Sequence, residues 1–275
     1  LVRSRGLGDV YKRQHVIHAQ VAPLEFKSPG VDDFFFPGTF GVDWADKSFW
    51  QILIAAILVL ALFFWMSHDL KVVPTGKRQV FAEYFYNFVR NNIARETIGH
   101  EYSRWVPYLF ALFTFLLVNN WFGEFFVFMF PTFSRIGYVY GIALVTWFVY
   151  IIAGVKSQGI KYFKNSVLPP GVPWYLWWLM IPLEFLSNFI TRPLTLALRL
   201  FANMFAGHLI IMIFVVGGGF LLTYPHSIGY NLAGGVSIIF SFAIFALELF
   251  VGLLQSYVFT VLTAQYIASS VSVEH

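Results

Sequence analysis

The run Trp174–Val216 holds 43 residues and, among charged side chains, only Glu184, Arg192 and Arg199. As one helix it would be about 65 Å long, roughly twice the hydrocarbon thickness of a bilayer. An arginine held at the bilayer centre costs about 2.5–3.5 kcal/mol on insertion scales. No water-soluble role requires that cost, so Arg199 is read as a fixed positive charge on an ion path. A second overlong run, Gly235–Ser269, would extend about 50 Å as a helix. Either each run breaks into two spans, or each is a single, steeply tilted helix. A break at Arg192-Pro193 would reverse the side of every later loop and leave the inner loop Gly217–Gly235 without Lys or Arg. Two long tilted helices forming a hairpin are therefore expected, with Pro182 and Pro193 as tolerated kinks.

Composition agrees. The chain is 58% apolar, 20% aromatic and 12% charged, with a mean hydropathy of +0.68, against about 25% charged in ordinary soluble domains. The apolar runs are continuous rather than alternating, which argues against a transmembrane barrel. The absence of cysteine excludes disulfides and thiolate chemistry. Of the net charge of +4, three units come from residues 1–14, where Arg3, Arg5, Lys12 and Arg13 face Asp9. That segment has no starting Met and shares no pattern with the rest of the chain. It is expected to be a non-native leader, such as translated adaptor sequence or a cloning scar. The remainder is near neutral, so no nucleic-acid partner is expected.

Residues 15–48 form a polar, acidic, Pro- and Gly-punctuated outer segment ahead of one membrane domain, 49–275. Spans are expected at Phe49–Met66, Trp105–Phe130 and Ile136–Val155, before the two long helices. Val80, Phe81, Tyr84, Phe85, Phe88 and Val89 share one helical face. This suits either an interfacial amphipathic helix or a helix packed on protein. Basic loops at 67–104 and 156–164 are separated by two spans, so both lie on the cytoplasmic side, with the N-terminus outside and the C-terminus inside. The fold class is an all-α polytopic membrane protein of about five membrane helices plus an amphipathic helix.

At 100° per residue, Glu184, Asn188, Thr191, Thr195 and Arg199 fall within about 80° of one another. Ser237, Ser241, Glu248, Gln255 and Tyr266 fall within about 60° on the last helix. Polar groups in lipid must face protein or water, so these seams should face an interior or a partner. Simpler readings stand beside the functional ones. Thr191, Thr195, Ser237 and Ser241 would bond their own backbone. Asn188, Asn203 and Gln255 would tie helices together, and Glu124 would sit at the outer interface. Arg192 would snorkel to the inner surface, and Arg199 would pair with Glu248. His208 points about 180° away from Arg199, and an imidazole titrates near neutral pH. No metal spacing, phosphate loop, nucleotide motif or catalytic triad is present, so a self-sufficient enzyme is not expected.

The string RPLTLALRLFANMFAGH, the helix AIFALELFVGLLQSYVFTVLTAQYIA and the segment VAPLEF…FFFPGTF together resemble the subunit a family of rotary F-type ATP synthases. The resemblance covers about residues 20–270, and its core L-R-L-F-x-N-M-x-A-G (Leu198–Gly207) is highly specific. It implies that Arg199 is the essential arginine. It places Asn203, His208, Glu248, Gln255 and Tyr266 on a proton path, and Glu184 on the inner, exit side. The order His208 then Glu248, reversed in several bacterial forms, implies that these two positions are spatial neighbours. It implies a hairpin lying against a rotating c-ring, with subunit b of the peripheral stalk, other F0F1 subunits and membrane lipid as further partners. No cofactor is implied. Ala197, Ala202, Ala206 and Gly207 would keep the surface beside Arg199 low, so that the ring passes closely. The rival classes are a stand-alone channel or secondary transporter, whose internal repeats are not seen, and a membrane scaffold.

Overall fold

The computed structural model describes residues 28–34, 46–68, 71, 76–125, 131–168, 173–223 and 228–271. The expected leader 1–14, most of the outer segment 15–48 and part of the loop before residue 228 lie outside them.

Helix α1 (Lys47–Ser67) starts at Asp46, whose Oδ1 accepts the Phe49 amide at 2.9 Å. This satisfies one of the amide donors that every helix start leaves open. The same carboxylate is buried and forms an ion pair with Arg135, and the Tyr138 hydroxyl donates to it at 3.1 Å. The cap thereby binds the start of α1 to the start of α4.

Helix α2 (Lys77–Asn87) continues through wider turns, Phe88–Arg95, to Gly99, whose φ of 77° suits a residue without Cβ. That turn folds the segment back on α3 (Tyr102–Glu124). Val89, Ile93 and Ala94 are fully buried and stack with Leu109 and Phe113. Val80, Phe81 and Tyr84, from the face proposed on periodicity, are exposed instead. The amphipathic helix therefore packs on protein along one side and presents an apolar face outward along the other.

Helix α4 (Ile136–Gln158) and the short α5 (Lys161–Val167) follow. The expected third and second spans thus run slightly longer or shorter than read from hydropathy. Helix α6 (Trp177–Phe185) leads through wide turns at Leu186–Thr191 into α7 (Arg192–Thr223). The segment Trp174–Thr223 is 50 residues of unbroken helix, so the single-helix expectation holds. The wide turns immediately precede Pro193, which has no amide hydrogen to give the ladder, and they absorb the mismatch.

Helix α8 (Ile228–Val271) is 44 residues long and packs against α7, α3 and α4, at the centre of the bundle. Five helical segments are long and apolar enough to cross a membrane. The protein is an all-helical membrane protein whose last two helices form a long antiparallel hairpin.

The expected loop Gly217–Gly235 is mostly helix, because its glycines serve a close crossing rather than a turn. A Cβ on Gly234 would lie 2.8 Å from the Gly218 carbonyl oxygen and 3.0 Å from the Leu222 amide nitrogen. Small residues at such a crossing let two backbones approach in a medium with no hydrophobic drive for association. Ser237 adds a bond across the same crossing, donating to the Phe214 carbonyl at 2.8 Å. Gly234→Leu is expected to separate the hairpin tip, with a loss of about 1–3 kcal/mol from overpacking. Lower thermal stability in detergent than for Gly235→Leu, a neighbour whose Cβ meets nothing within 4 Å, checks this.

Candidate functional site

Helix α7 separates two environments. Leu196, Ala197, Leu200 and Met204 are buried against α4 and α8. Thr191, Thr195, Leu198, Arg199, Ala202, Ala206 and Ile210 form an exposed stripe, one side of the helix along more than four turns. Arg199 is the one charged member of that stripe and makes no hydrogen bond or ion pair with a described residue. Ala202 and Ala206 lie low beside it as expected. Ala197 and Gly207 do not, since both point into the bundle.

The polar seam expected to include both Asn188 and Arg199 is split. The wide turns at Leu186–Thr191 rotate the preceding helix relative to a uniform 3.6-residue count. Asn188 is buried, and its amide donates to the Ser166 carbonyl at 2.7 Å and to Glu184 Oε2 at 3.2 Å. The Tyr150 hydroxyl donates to the Asn188 carbonyl at 2.9 Å. Thr195 bonds its own helix, donating to the Thr191 carbonyl at 2.8 Å, as expected of a lipid-facing threonine. Ser241 likewise donates within its helix, to the Ile238 carbonyl.

On the opposite side of α7 from Arg199, His208 is buried. Its Nδ1 lies 3.1 Å from the Met204 carbonyl oxygen, and Nε2 lies 3.0 Å from that of Gly123. Nε2 is also 3.3 Å from Glu124 Oε1, an oxygen with no other hydrogen-bond partner among the described residues. Glu124 is only 5% exposed. It therefore lies inside the bundle rather than at the outer interface expected from its position near a span end.

The carboxyl of Glu248, from α8, occupies the space that a side chain at position 207 would fill. Glu248 also lies close enough to Glu124 for the ionisation of one to affect the other. Three titratable side chains from α3, α7 and α8 thus meet around Gly123 and Gly207. The Glu248 carboxyl lies against the residue preceding His208, and Glu124, expected at the outer interface, contacts the imidazole.

The scaffold that brings them together is polar. Asn120 donates from α3 to the Gly252 carbonyl and to Ser256 Oγ, each at 2.9 Å. Trp121 Nε1 donates to the Leu249 carbonyl at 3.1 Å. These bonds fix the register of α3 on α8 one turn from Glu124 and Glu248. Asn203, one turn beyond Arg199, and Gln255, two turns beyond Glu248, each carry a buried side-chain nitrogen without a partner among the described residues. Such groups are costly in a low-dielectric interior unless water or a partner reaches them.

Arg192 and Tyr266 form a separate group at the other end. The guanidinium sits 5.0 Å from the Tyr266 ring centroid and donates to Ser269 Oγ at 3.3 Å. This is a structural tie between α7 and α8, in line with the reading of Arg192. Glu184, half-buried, lies nearby in the chain with Asn188. Along α7, Arg199 is about 14 Å from His208 in one direction; in the other, Glu184 lies on α6, beyond the wide turns. Among the described residues, no three His, Asp or Glu side chains, the Glu124–His208–Glu248 cluster included, are arranged so that they could hold a metal ion.

Comparison with known proteins matches the chain to one family. The model of the family described as ATP synthase A chain matches residues 48–268. The chain is 42% identical over 263 residues to the ATP synthase subunit a of Nocardioides sp. (strain ATCC BAA-499 / JS614), covering 91% of this chain and 95% of that one. It is 39% identical to the subunit a of Pseudarthrobacter chlorophenolicus, over 88% of this chain and 92% of the relative. It is 38% identical to that of Gluconobacter oxydans, over 80% and 86%. With four-fifths of its length matched by the family model and relatives about 40% identical over most of the chain, this chain belongs to the ATP synthase A chain family.

Proposed function

We propose that this protein is the proton-channel stator subunit of an F-type ATP synthase in a bacterial plasma membrane, working with a c-ring, a subunit b stalk and the other F0F1 subunits. The observation that carries the reading is the position of Arg199. It lies uncovered on an alanine-lined face of a membrane helix, with no partner among the described residues of its own chain. A cation left there is best stabilised by a countercharge from another molecule.

In this reading the N-terminus is outside and the C-terminus cytoplasmic. A proton from the outer side reaches the Glu124–His208–Glu248 cluster and is passed, with Asn203 and Gln255 assisting, to a carboxylate on the ring. Protonation makes that group neutral, as it must be to travel through lipid. After a near-complete turn the carboxyl arrives at Arg199, which remains charged in any protein setting. The guanidinium favours the carboxylate form, and the released proton leaves on the inner side past Glu184, with Tyr266 near the exit. Arg199 also repels protons from a direct path between the two half-channels, so that flow requires rotation. A membrane potential of 100 mV contributes about 2.3 kcal/mol per proton. The separation of the two polar groups along α7, one on each side of Arg199, supports two offset half-channels.

Arg199→Ala is expected to abolish ATP-driven acidification of inverted membrane vesicles that contain the assembled complex. Normal acidification would overturn the reading. Arg199→Lys should fail as well, because an ammonium loses its proton more readily and lacks the planar fork. Exchanging the pair, His208→Glu with Glu248→His, should retain more proton flux than either single change. Equal flux in all three variants would contradict a shared pathway. Gly207→Ala should displace the Glu248 carboxyl and reduce flux. Gly219→Ala, on the same helix with nothing within 4 Å of its Cβ, should leave flux unchanged.

A further inference from the structure

At the basic end of the bundle, α3 and α4 diverge around the end of α8 and leave a notch of about 600 Å³. Its mouth carries Arg104 from the first turn of α3 and Lys156 from the last turn of α4, against a single acid, Glu101. Neither cation forms an ion pair with a described residue. The Arg104 guanidinium lies 5.8 Å from the centroid of the Trp105 ring, at the notch wall. The rest of the lining includes the apolar side chains of Val149, Ile152 and Ala153, of which Ile152 is exposed.

The notch is closed inward by a hydrogen bond between the Tyr108 and Thr146 hydroxyls, 3.2 Å apart. Beyond it, sharing Tyr108 as a wall, lies a second cleft of about 600 Å³ between α1, α3 and α4, lined almost wholly by apolar side chains such as Val59, Phe63, Leu112 and Phe115. Arg104 to Phe115 spans eleven residues of helix, about 16 Å. This is close to half of the roughly 30 Å hydrocarbon core, the depth of one leaflet.

We propose that this crevice is a binding site for an anionic phospholipid of the leaflet at the basic end. The phosphate lies between Arg104 and Lys156, and an acyl chain runs past Ile152 toward the apolar cleft. The chemistry selects this occupant. A free phosphate would match the two cations but leave the apolar cleft uncovered, and a zwitterionic headgroup would bring its own cation to a site already net positive. Basic pockets between membrane helices suit anionic headgroups, at about the level of surface attraction expected for two cations. The site lies apart from Arg199 and the acid–imidazole cluster, so it does not depend on the proton-path assignment.

The test uses the intact, purified complex in nanodiscs containing trace photoreactive phosphatidylglycerol or phosphatidylcholine of matched chains. Labelling of peptides spanning 101–108 and 149–157 should favour phosphatidylglycerol in the wild type. Arg104→Gln with Lys156→Gln should reduce that preference by about thirtyfold, the product of two lost cation contacts. Ile152→Trp keeps both charges and fills the tail groove, and should reduce phosphatidylglycerol labelling while ATP-driven proton pumping stays at the wild-type level. Equal labelling by the two lipids overturns the proposal. So does undiminished labelling in the double variant, or cross-linking of these peptides to a helix of another subunit in place of lipid.

Discussion

Hydrocarbon offers no hydrogen bonds, and each polar group carried into it must find a partner in protein, in water or in its own backbone. The arrangement of this molecule follows from how each polar side chain meets that demand. Thr195 and Ser241 turn back to their own helices. Asn120, Trp121 and Ser237 reach carbonyls on the neighbouring helix, and in doing so set helix register. Asp46 satisfies an open helix amide and a cation at once. Of the charged residues of α7, Arg199 finds no such partner among the described residues, and that exception is why we propose that another molecule covers this face.

The acid–imidazole cluster depends on the same economy of space. It exists because two glycines, Gly123 and Gly207, leave room for the His208 ring and the Glu248 carboxyl. It persists because Asn120 locks α3 to α8 beside it. Helix α8, in contact with three other long helices, is the common reference for both polar groups. One lies with Glu124 and Glu248, and the other with Arg192, Tyr266 and Ser269.

Much of this is legible from residue spacing. Counting 100° per residue places Arg199 and His208 on opposite faces, and the structure exposes one and buries the other. Length, together with the lack of Lys or Arg in residues 217–235, foretells the hairpin. Glu124 is not legible, because its burial depends on where α3 docks against α7, a tertiary relation with no local signature. A fixed period puts Asn188 on the wrong face because wide helical turns are invisible to it. The glycines of 217–235 suggest a loop because glycine signals a turn and a close helix crossing with the same letter. Size alone groups Ala197 with the low face. Two residues from Arg199, it lies about 160° away around the helix, on the buried side.

The uncovered guanidinium has a consequence for the life of the chain before it meets a partner. An orphan copy in the bilayer carries a desolvation penalty of about 2.5–3.5 kcal/mol at Arg199, or draws water and headgroups inward to relieve it. Contact with an acidic partner surface removes that penalty. Any equilibrium that binds only the companioned form is pulled toward it by mass action. In the proposed assembly, the membrane itself would therefore distinguish a solitary subunit from an incorporated one by the state of a single side chain.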